Sequence, residues 1–333
     1  MSLNPGDVGA GSVHYPLADQ IGGLLPAAPV AEGAAARKIE GRSPWRLAVE
    51  RIRRDRASMI SLGVIVVIVL VAILAPVIAA VIGHGVNQQF RTTGLTAVGQ
   101  PVGPDSTFWF GTDDQGRDIL VRIAYGTRIS LFVGVIATAI TIAIGAVVGL
   151  AAGYFGKLVD TLLARLMDLL LAFPFLLLAI ALVSVFQPGL TVIIVVIGVV
   201  SWASVGRIVR GQVLSIREKE YIEAARALGA GPWRIMFIDI LPNLIAPIIV
   251  YASLLIPLTI VFEASLAFVG LGVPPPTADW GKMISDASQY YANGAWWFLV
   301  FPSLALLITT LAFNILGDGV RDAFDPRGDQ LFV

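Results

Sequence analysis

Between Asp168 and Arg207 the chain runs for 38 residues without a charged side chain. Water does not require such a run, and a bilayer does, because a charge at mid-membrane costs several kcal/mol, roughly 2.5 to 3.5 on insertion scales. The run is too long for one span of about 20 residues across a ~30 Å core, and Gln187-Pro188-Gly189 places a turn near its middle, so it predicts two helices. Other charge-free stretches run from Ala57 to Gly83, Ile129 to Gly156, Ile240 to Phe262 and Ala287 to Gly317. The fifth helix is expected to start after Pro242. The expectation is therefore an all-α integral membrane protein with six transmembrane helices. Composition agrees: 56% of residues are hydrophobic and 14% charged, against about 25% charged in a soluble domain.

Net charge is zero, with 23 Lys+Arg against 23 Asp+Glu, which gives no reason to expect nucleic acid. No cysteine is present and there are only two histidines, His14 and His84, which excludes thiolate and most histidine metal chemistry. Lys and Arg are sorted by segment: with the N-terminus placed in the cytoplasm, 18 fall inside and 5 outside. The positive-inside rule then puts both termini in the cytoplasm. Residues 1–45 read as a flexible cytoplasmic tail, 46–83 as a basic segment with the first span, and 84–128 as an extracytoplasmic connector. A core follows over 129–320, then a cytoplasmic tail over 321–333. More than 50 residues precede the first apolar helix, so no signal peptide is expected. Ile39-Glu40-Gly41-Arg42 matches a protease site, but the basic pattern continues past it, which favours chance.

The cytoplasmic loop within 213–242 is unexpectedly small and apolar. Glu220 to Leu228 is rich in helix formers, Gly229 and Gly231-Pro232 predict a stop and a restart, and Ala224, Ala225 and Gly229 leave room for another backbone. Glu223 and Arg226 lie on a neighbouring face suited to pairing with a partner. These features favour docking over a solvated loop.

Glu223-Ala224-Ala225, Gly229 and Leu241-Pro242-Asn243 resemble the EAA loop of ABC-importer permeases, whose coupling helix sits in a groove of the ATPase subunit. Gly111-Thr112-Asp113-Asp114-Gln115-Gly116-Arg117-Asp118, with Tyr125-Gly126 and Arg128 to Leu131, is similar to the signature preceding the core in the dipeptide, oligopeptide and nickel importer family. Glu263 to Pro276 with Asp279-Trp280-Gly281 resembles the fifth-helix exit of its C-type permease subunit. Asn314 to Asp322 with Asp325-Pro326-Arg327 resembles that subunit's C-terminus. The motifs keep family order over about residues 45 to 328. Two positions depart from the pattern: Asp239, where the family often has His, and Asp279, where a small residue is commoner.

The resemblance implies a type I permease core built from helices two to six, with one additional N-terminal helix, in a bacterial cytoplasmic membrane. It implies a homologous B-type permease, two ATPase subunits carrying ATP and Mg²⁺, an extracytoplasmic substrate-binding protein, and a dipeptide or oligopeptide as cargo. Nickel complexes and oligosaccharides stay open as cargo. This chain has no Gly-x-x-x-x-Gly-Lys-Ser/Thr, so it is expected to bind no nucleotide or other cofactor and to catalyse nothing. ATPase coupling is expected at Glu220, Glu223, Ala224, Ala225, Arg226, Gly229, Leu241 and Pro242. Two rivals from other classes stay open: an ion-gradient-driven transporter and a membrane scaffold.

Five further expectations concern single residues. Glu263, an acid deep in an apolar helix, either lines a translocation path with Phe262 and Pro257 or holds the turn at Gly270 to Pro276. Asp113, Asp114 and Asp118 either bind Ca²⁺ or, as the missing EF-hand register favours, hold turn amides and pair with Arg117 and Arg122. Arg165 pairs with Asp168 along one helix, while Arg207 and Arg210 snorkel to headgroups. Phe108-Trp109-Phe110 and Trp296-Trp297 sit at the membrane interface. Pro174, Pro247, Pro257 and Pro302 interrupt spans.

Overall fold

The computed structural model describes residues 44–325. The expected tail up to residue 43, with Ile39 to Arg42, and the last residues from Pro326 and Arg327 onward lie outside the described residues. A short helix α1 (Pro44–Arg54) leads to α2 (Arg56–Ile82), and α3 (Ile119–Phe155) follows a connector. Then come α4 (Lys157–Ala172), α5 (Phe175–Phe186), α6 (Leu190–Arg217) and the eight-residue α7 (Glu220–Ala227). The chain continues through α8 (Pro232–Leu271), α9 (Trp280–Ala287) and α10 (Trp296–Phe324). Among the described residues, five helices are long and apolar enough to cross a membrane, and the count is six if α4 and α5, a bent pair, are taken together as one span.

Local chemistry fixes the helix ends. Asp55 caps α2, its carboxylate accepting from the Ala57 and Ser58 amides at 3.2 and 2.9 Å, and the Ser58 hydroxyl bond first, then these amide bonds, hold its pKa below the usual carboxylate value. Asp118 caps α3, accepting from the Leu120 and Val121 amides. That cap moves the helix start to Ile119, ten residues before the charge-free stretch begins, and so shortens the expected 84–128 connector. The third span also differs from expectation. Pro174 cannot donate to the helix ladder, and α4 and α5 meet there at 89°. The fifth span does not wait for Pro242. It runs from Pro232 through a π-helical turn at Ile235–Ile240, with the Leu241 amide donating to Met236 O, which makes room for the Pro242 ring. Pro247, Pro257 and Pro302 lie within helices, and Pro76 joins them in α2.

Between lipid-embedded helices apolar burial supplies little drive, so close backbone approach matters more. The centre of the bundle is α3 against α6, where Gly145, Gly149 and Gly153 meet Val205, Val209 and Val213. On the other side of the bundle, Gly134 of α3 admits the Ile260 side chain of α8, and Gly319 of α10 lies against Ser58 of α2. One apolar cluster joins α3, α5, α6 and α8 through Val133, Val183, Ile197 and Leu266. A second lies at the end carrying α7, called here the loop end. The connector and α9 form the opposite, connector end.

Candidate functional site: the loop end and the connector end

At the loop end, α7 begins with Glu220 and Glu223 in its first turn, where acids favour the helix dipole. It ends in a Schellman motif: the Gly229 amide donates to Arg226 O at 2.9 Å and the Ala230 amide to Ala225 O at 3.0 Å. Gly229 adopts φ +86°, and nothing lies within 4 Å of where its Cβ would be, so glycine serves backbone conformation here and not close packing within the chain. A single apolar side chain, Ile222, anchors α7, fully buried among Ile216, Ile235 and Ile240. Glu220, Glu223, Ala224 and Arg226 stay exposed, Ala225 and Leu241 are half-buried, and Pro242 is exposed.

Two features of this end escape sequence reasoning. Arg226, expected to await a partner, lies over the Tyr154 ring of α3 at 5.7 Å. Beside α7 stand Leu228, 87% exposed, and Trp233, 68% exposed, with Tyr221, Phe237 and Ile238 also outward. A tryptophan directly after Gly231-Pro232, in a segment read as a cytoplasmic loop, was the available signal. The loop end is wired to its neighbours: Arg217 donates to Gly153 O at 3.0 Å, and Asn243 donates to Tyr221 Oη at 3.4 Å and Asp239 O at 2.7 Å.

Arg207 and Arg210 of α6 were expected to snorkel. They reach across to α4 instead, Arg207 bonding Asp168 at 2.5 Å and Arg210 holding Asp160 through two bonds, one of 2.8 Å. Arg165 pairs with Asp168 along α4 at 3.9 Å, as expected, and the shorter cross-helix bond from Arg207 joins it on the same carboxylate. These side chains line a recess of about 500 Å³ between the two helices.

At the connector end, the Gly111 to Asp118 motif is a buried turn. Thr112 donates to Gly94 O at 2.5 Å, and Gly111 and Gly116 have φ of +73° and +72°. Asp113 accepts from the Gln115 and Arg117 amides, each at 2.9 Å, and from Arg117 Nε at 2.6 Å. Arg122 Nε lies 3.3 Å from the same carboxylate. Asp118, besides capping α3, lies 2.7 Å from His84 Nδ1. The turn-and-ion-pair arrangement thus accounts for these acids, and no cluster that fits a metal occurs among the described residues. Burial, followed by the Asp113 charge, pushes the Asp114 carboxyl above its usual pKa. The aromatic expectations need correction. Phe108 is buried beside His84 and Phe90, and Phe110 stacks on Phe301 at 4.2 Å. Trp297 donates to Thr112 O at 3.3 Å and packs on Gly111, which leaves Trp109 and Trp296 exposed.

Glu263 faces no open path: it is 0% exposed and accepts from Ser130 at 3.0 Å. Its other neighbour is Asp279, also 0% exposed, whose pKa burial raises. Phe262 is half-buried against Phe175 at 3.9 Å between ring centroids, and Pro257 is buried. None of the three lines a channel within this chain.

A family model described as "Binding-protein-dependent transport system inner membrane component" matches residues 145–329, and one described as the N-terminal TM domain of oligopeptide transport permease C matches residues 43–94. The dipeptide transport system permease protein DppC of Alkalihalophilus pseudofirmus is 42% identical over 86% of this chain and 90% of its own length. The oligopeptide transport system permease protein OppC of Bacillus subtilis is 41% identical over 91% and 96%. OppC of Escherichia coli K12 is 41% identical over 87% and 93%. A solved structure of the MetNI methionine ABC transporter in inward-facing conformations matches in fold with a TM-score of 0.50, at 21% identity, over 61% of this chain and 96% of that one.

Proposed function

The chain belongs to the family of binding-protein-dependent transport system inner membrane components, and from that premise we propose that it forms half of the translocation pathway of an ATP-driven importer of dipeptides or oligopeptides. A permease subunit of this family is multi-pass and non-catalytic, and it works with ATPase and binding-protein partners. In this reading the other half is a homologous B-type permease, and two ATPase subunits carry ATP and Mg²⁺. The loop end is cytoplasmic and the connector end meets the binding protein, in keeping with the 18 to 5 distribution of Lys and Arg. Peptide cargo is supported by the named cargo of relatives at 41 to 42% identity.

The observation that carries the coupling role is the division of α7 into a buried anchor, Ile222, and an exposed face flanked by Leu228 and Trp233. An ATPase groove closing on that face moves Ile222 against α6 and the start of α8, and Arg217 conveys the displacement to the end of α3. Alternating access then follows from rigid helices tilting against the companion subunit. The test is co-purification of the assembled complex with wild-type, Glu223→Lys and Leu228→Asp chains, scoring captured ATPase and binding-protein-stimulated ATP hydrolysis. Wild type captures the ATPase, and both variants lose stimulated hydrolysis; a variant that couples normally refutes the contact. Uptake of labelled dipeptide, competed in turn by longer peptides, a nickel complex and an oligosaccharide, tests cargo.

A further inference from the structure

Helix α1 (Pro44–Arg54) sorts its side chains by face. At about 3.6 residues per turn, Trp45, Ala48, Val49 and Ile52 share one stripe, and Arg46 and Arg53 border it on one side. The rest of the chain covers only part of that stripe. Ala48 is buried and Ile52 half-buried, while Trp45 and Val49 are 45 and 48% exposed.

The contacts of α1 fix how it lies. Asp55, with extended backbone, separates it from α2. Trp45 meets the Phe324 ring edge-on at 5.2 Å between centroids, and Arg51 donates to Ala323 O at 3.2 Å and Asp325 O at 2.9 Å. Trp45 and Arg51 are about 9 Å apart along α1, yet both meet the last turn of α10, so α1 crosses the end of that helix and does not run beside it. Because α10 is long and apolar enough to cross the membrane, a helix laid across its end follows the membrane surface. The outward apolar side chains of α2 begin directly after, with Met59 and Ile60 at 41 and 69% exposure.

The charge on this surface is predominantly positive. Arg46, Arg53, Arg54 and Arg56 are exposed, and the last three make no ion pair among the described residues. Of the two acids, Asp55 is engaged by the Ala57 and Ser58 amides, and Glu50 faces Arg46 at 3.8 Å in a pair too exposed to contribute much. An occupant that suits the whole face must be apolar where it meets Trp45 and Val49 and anionic where it meets the arginines, which a free phosphate is not. We propose that α1 is a docking site for anionic phospholipid. Trp45 and Val49 enter the boundary between headgroups and acyl chains, and the Arg46 and Arg53 guanidinium groups take the lipid phosphates. A lipid-held α1 steadies two spans at once, because Asp55 caps α2 and Arg51 holds two carbonyls at the end of α10.

The chain has no cysteine, so Val49→Cys carries a single fluorophore. The labelled full chain is placed in nanodiscs of one fixed mixture of phosphatidylcholine and phosphatidylglycerol, with a shallow nitroxide quencher carried on one lipid or the other at the same mole fraction. The expected result is stronger quenching from labelled phosphatidylglycerol, a preference that shrinks as salt rises. Adding Arg46→Gln and Arg53→Gln lowers the relative association constant for phosphatidylglycerol by about fivefold per arginine. These substitutions leave Ala48, Ile52 and the Arg51 bonds in place, so α1 stays docked on α10. Equal quenching by the two lipids, or a preference that survives the loss of both arginines, overturns the headgroup site. Quenching by neither lipid puts the face in water and overturns it too. Loss of quenching once the labelled chain is assembled with its ATPase subunits gives the face to a protein, and that also overturns the lipid site. Cargo and ATPase play no part in the nanodisc readouts, so their failure leaves the importer role untouched.

Discussion

Gly149 approaches the carbonyl of Gly206 so closely that a Cβ on Gly149 would lie 2.6 Å from that oxygen. Backbone cannot yield as a flexible side chain does, so Gly149→Ala must separate α3 from α6. Overpacking of this kind costs about 1–3 kcal/mol. A lower unfolding midpoint in detergent is the expected readout, with Gly63→Ala, which meets nothing within 4 Å, as the neutral control.

Gly229 gives the complementary case, a glycine with open space but a left-handed backbone. A β-branched residue there costs about 1–2 kcal/mol and pulls α7 out of register, while asparagine visits that region more readily. Gly229→Val should lose stimulated ATP hydrolysis in the assembled importer and Gly229→Asn should retain most of it; equal activities would show that the cap does not set the pose of α7.

Removing the Asp113 charge weakens the pairing of two buried arginines: Arg122 is left with neutral acceptors and Arg117 with Asp114 at 3.5 Å. Breaking such a set from one side costs about 3–5 kcal/mol. Asp113→Asn is therefore expected to reduce the yield of folded protein, and limited proteolysis should cut the connector before any other segment.

The two α4 to α6 pairs should differ in strength. Asp168 and Arg207 are 52 and 53% exposed in their side chains, Asp160 and Arg210 only 20 and 29%. A double-mutant cycle on the first pair should give under about 1 kcal/mol of coupling, and a cycle on the second should give more.

Asp114 adds a pH signature at the connector end. Its pKa is raised in the folded chain, chiefly by burial, so folding takes up protons there and stability declines as pH rises through the ordinary carboxylate range to the raised value. Asp114→Asn removes that share of the decline. Midpoints measured at several pH values in Asp114→Asn and wild type check it.

The spans were legible because lipid forbids charge, and the gaps between charged residues mark where lipid lies. The same reasoning failed wherever a charge had a private partner. Arg122 sits inside α3 because Asp113 neutralises it, and Arg210 is drawn to Asp160, so neither behaves as a boundary marker. Helix breaks were half legible: Pro174 signals an interruption, but its 89° angle depends on how α4 and α5 pack on α6. The loop motif gave the position of α7 and its Gly229 stop from local chemistry alone. The full burial of Asp279 stayed hidden, because it follows a Gly- and Pro-rich turn and nothing local tells that the chain folds back on itself.

Within α8 a 26-residue α-helical stretch, Leu241–Leu266, runs from the π-helical turn beside α7 to the π-helical turn before α9. At 1.5 Å per residue it is a beam of roughly 40 Å, so each degree of tilt at one end displaces the other by about 0.7 Å. Such a beam has no preferred direction of signalling. In the importer proposed here, a binding protein that shifted the turn before Asp279 would push on the ATPase contact as surely as nucleotide closure would pull on that turn, and the two faces of the membrane would share one mechanical degree of freedom.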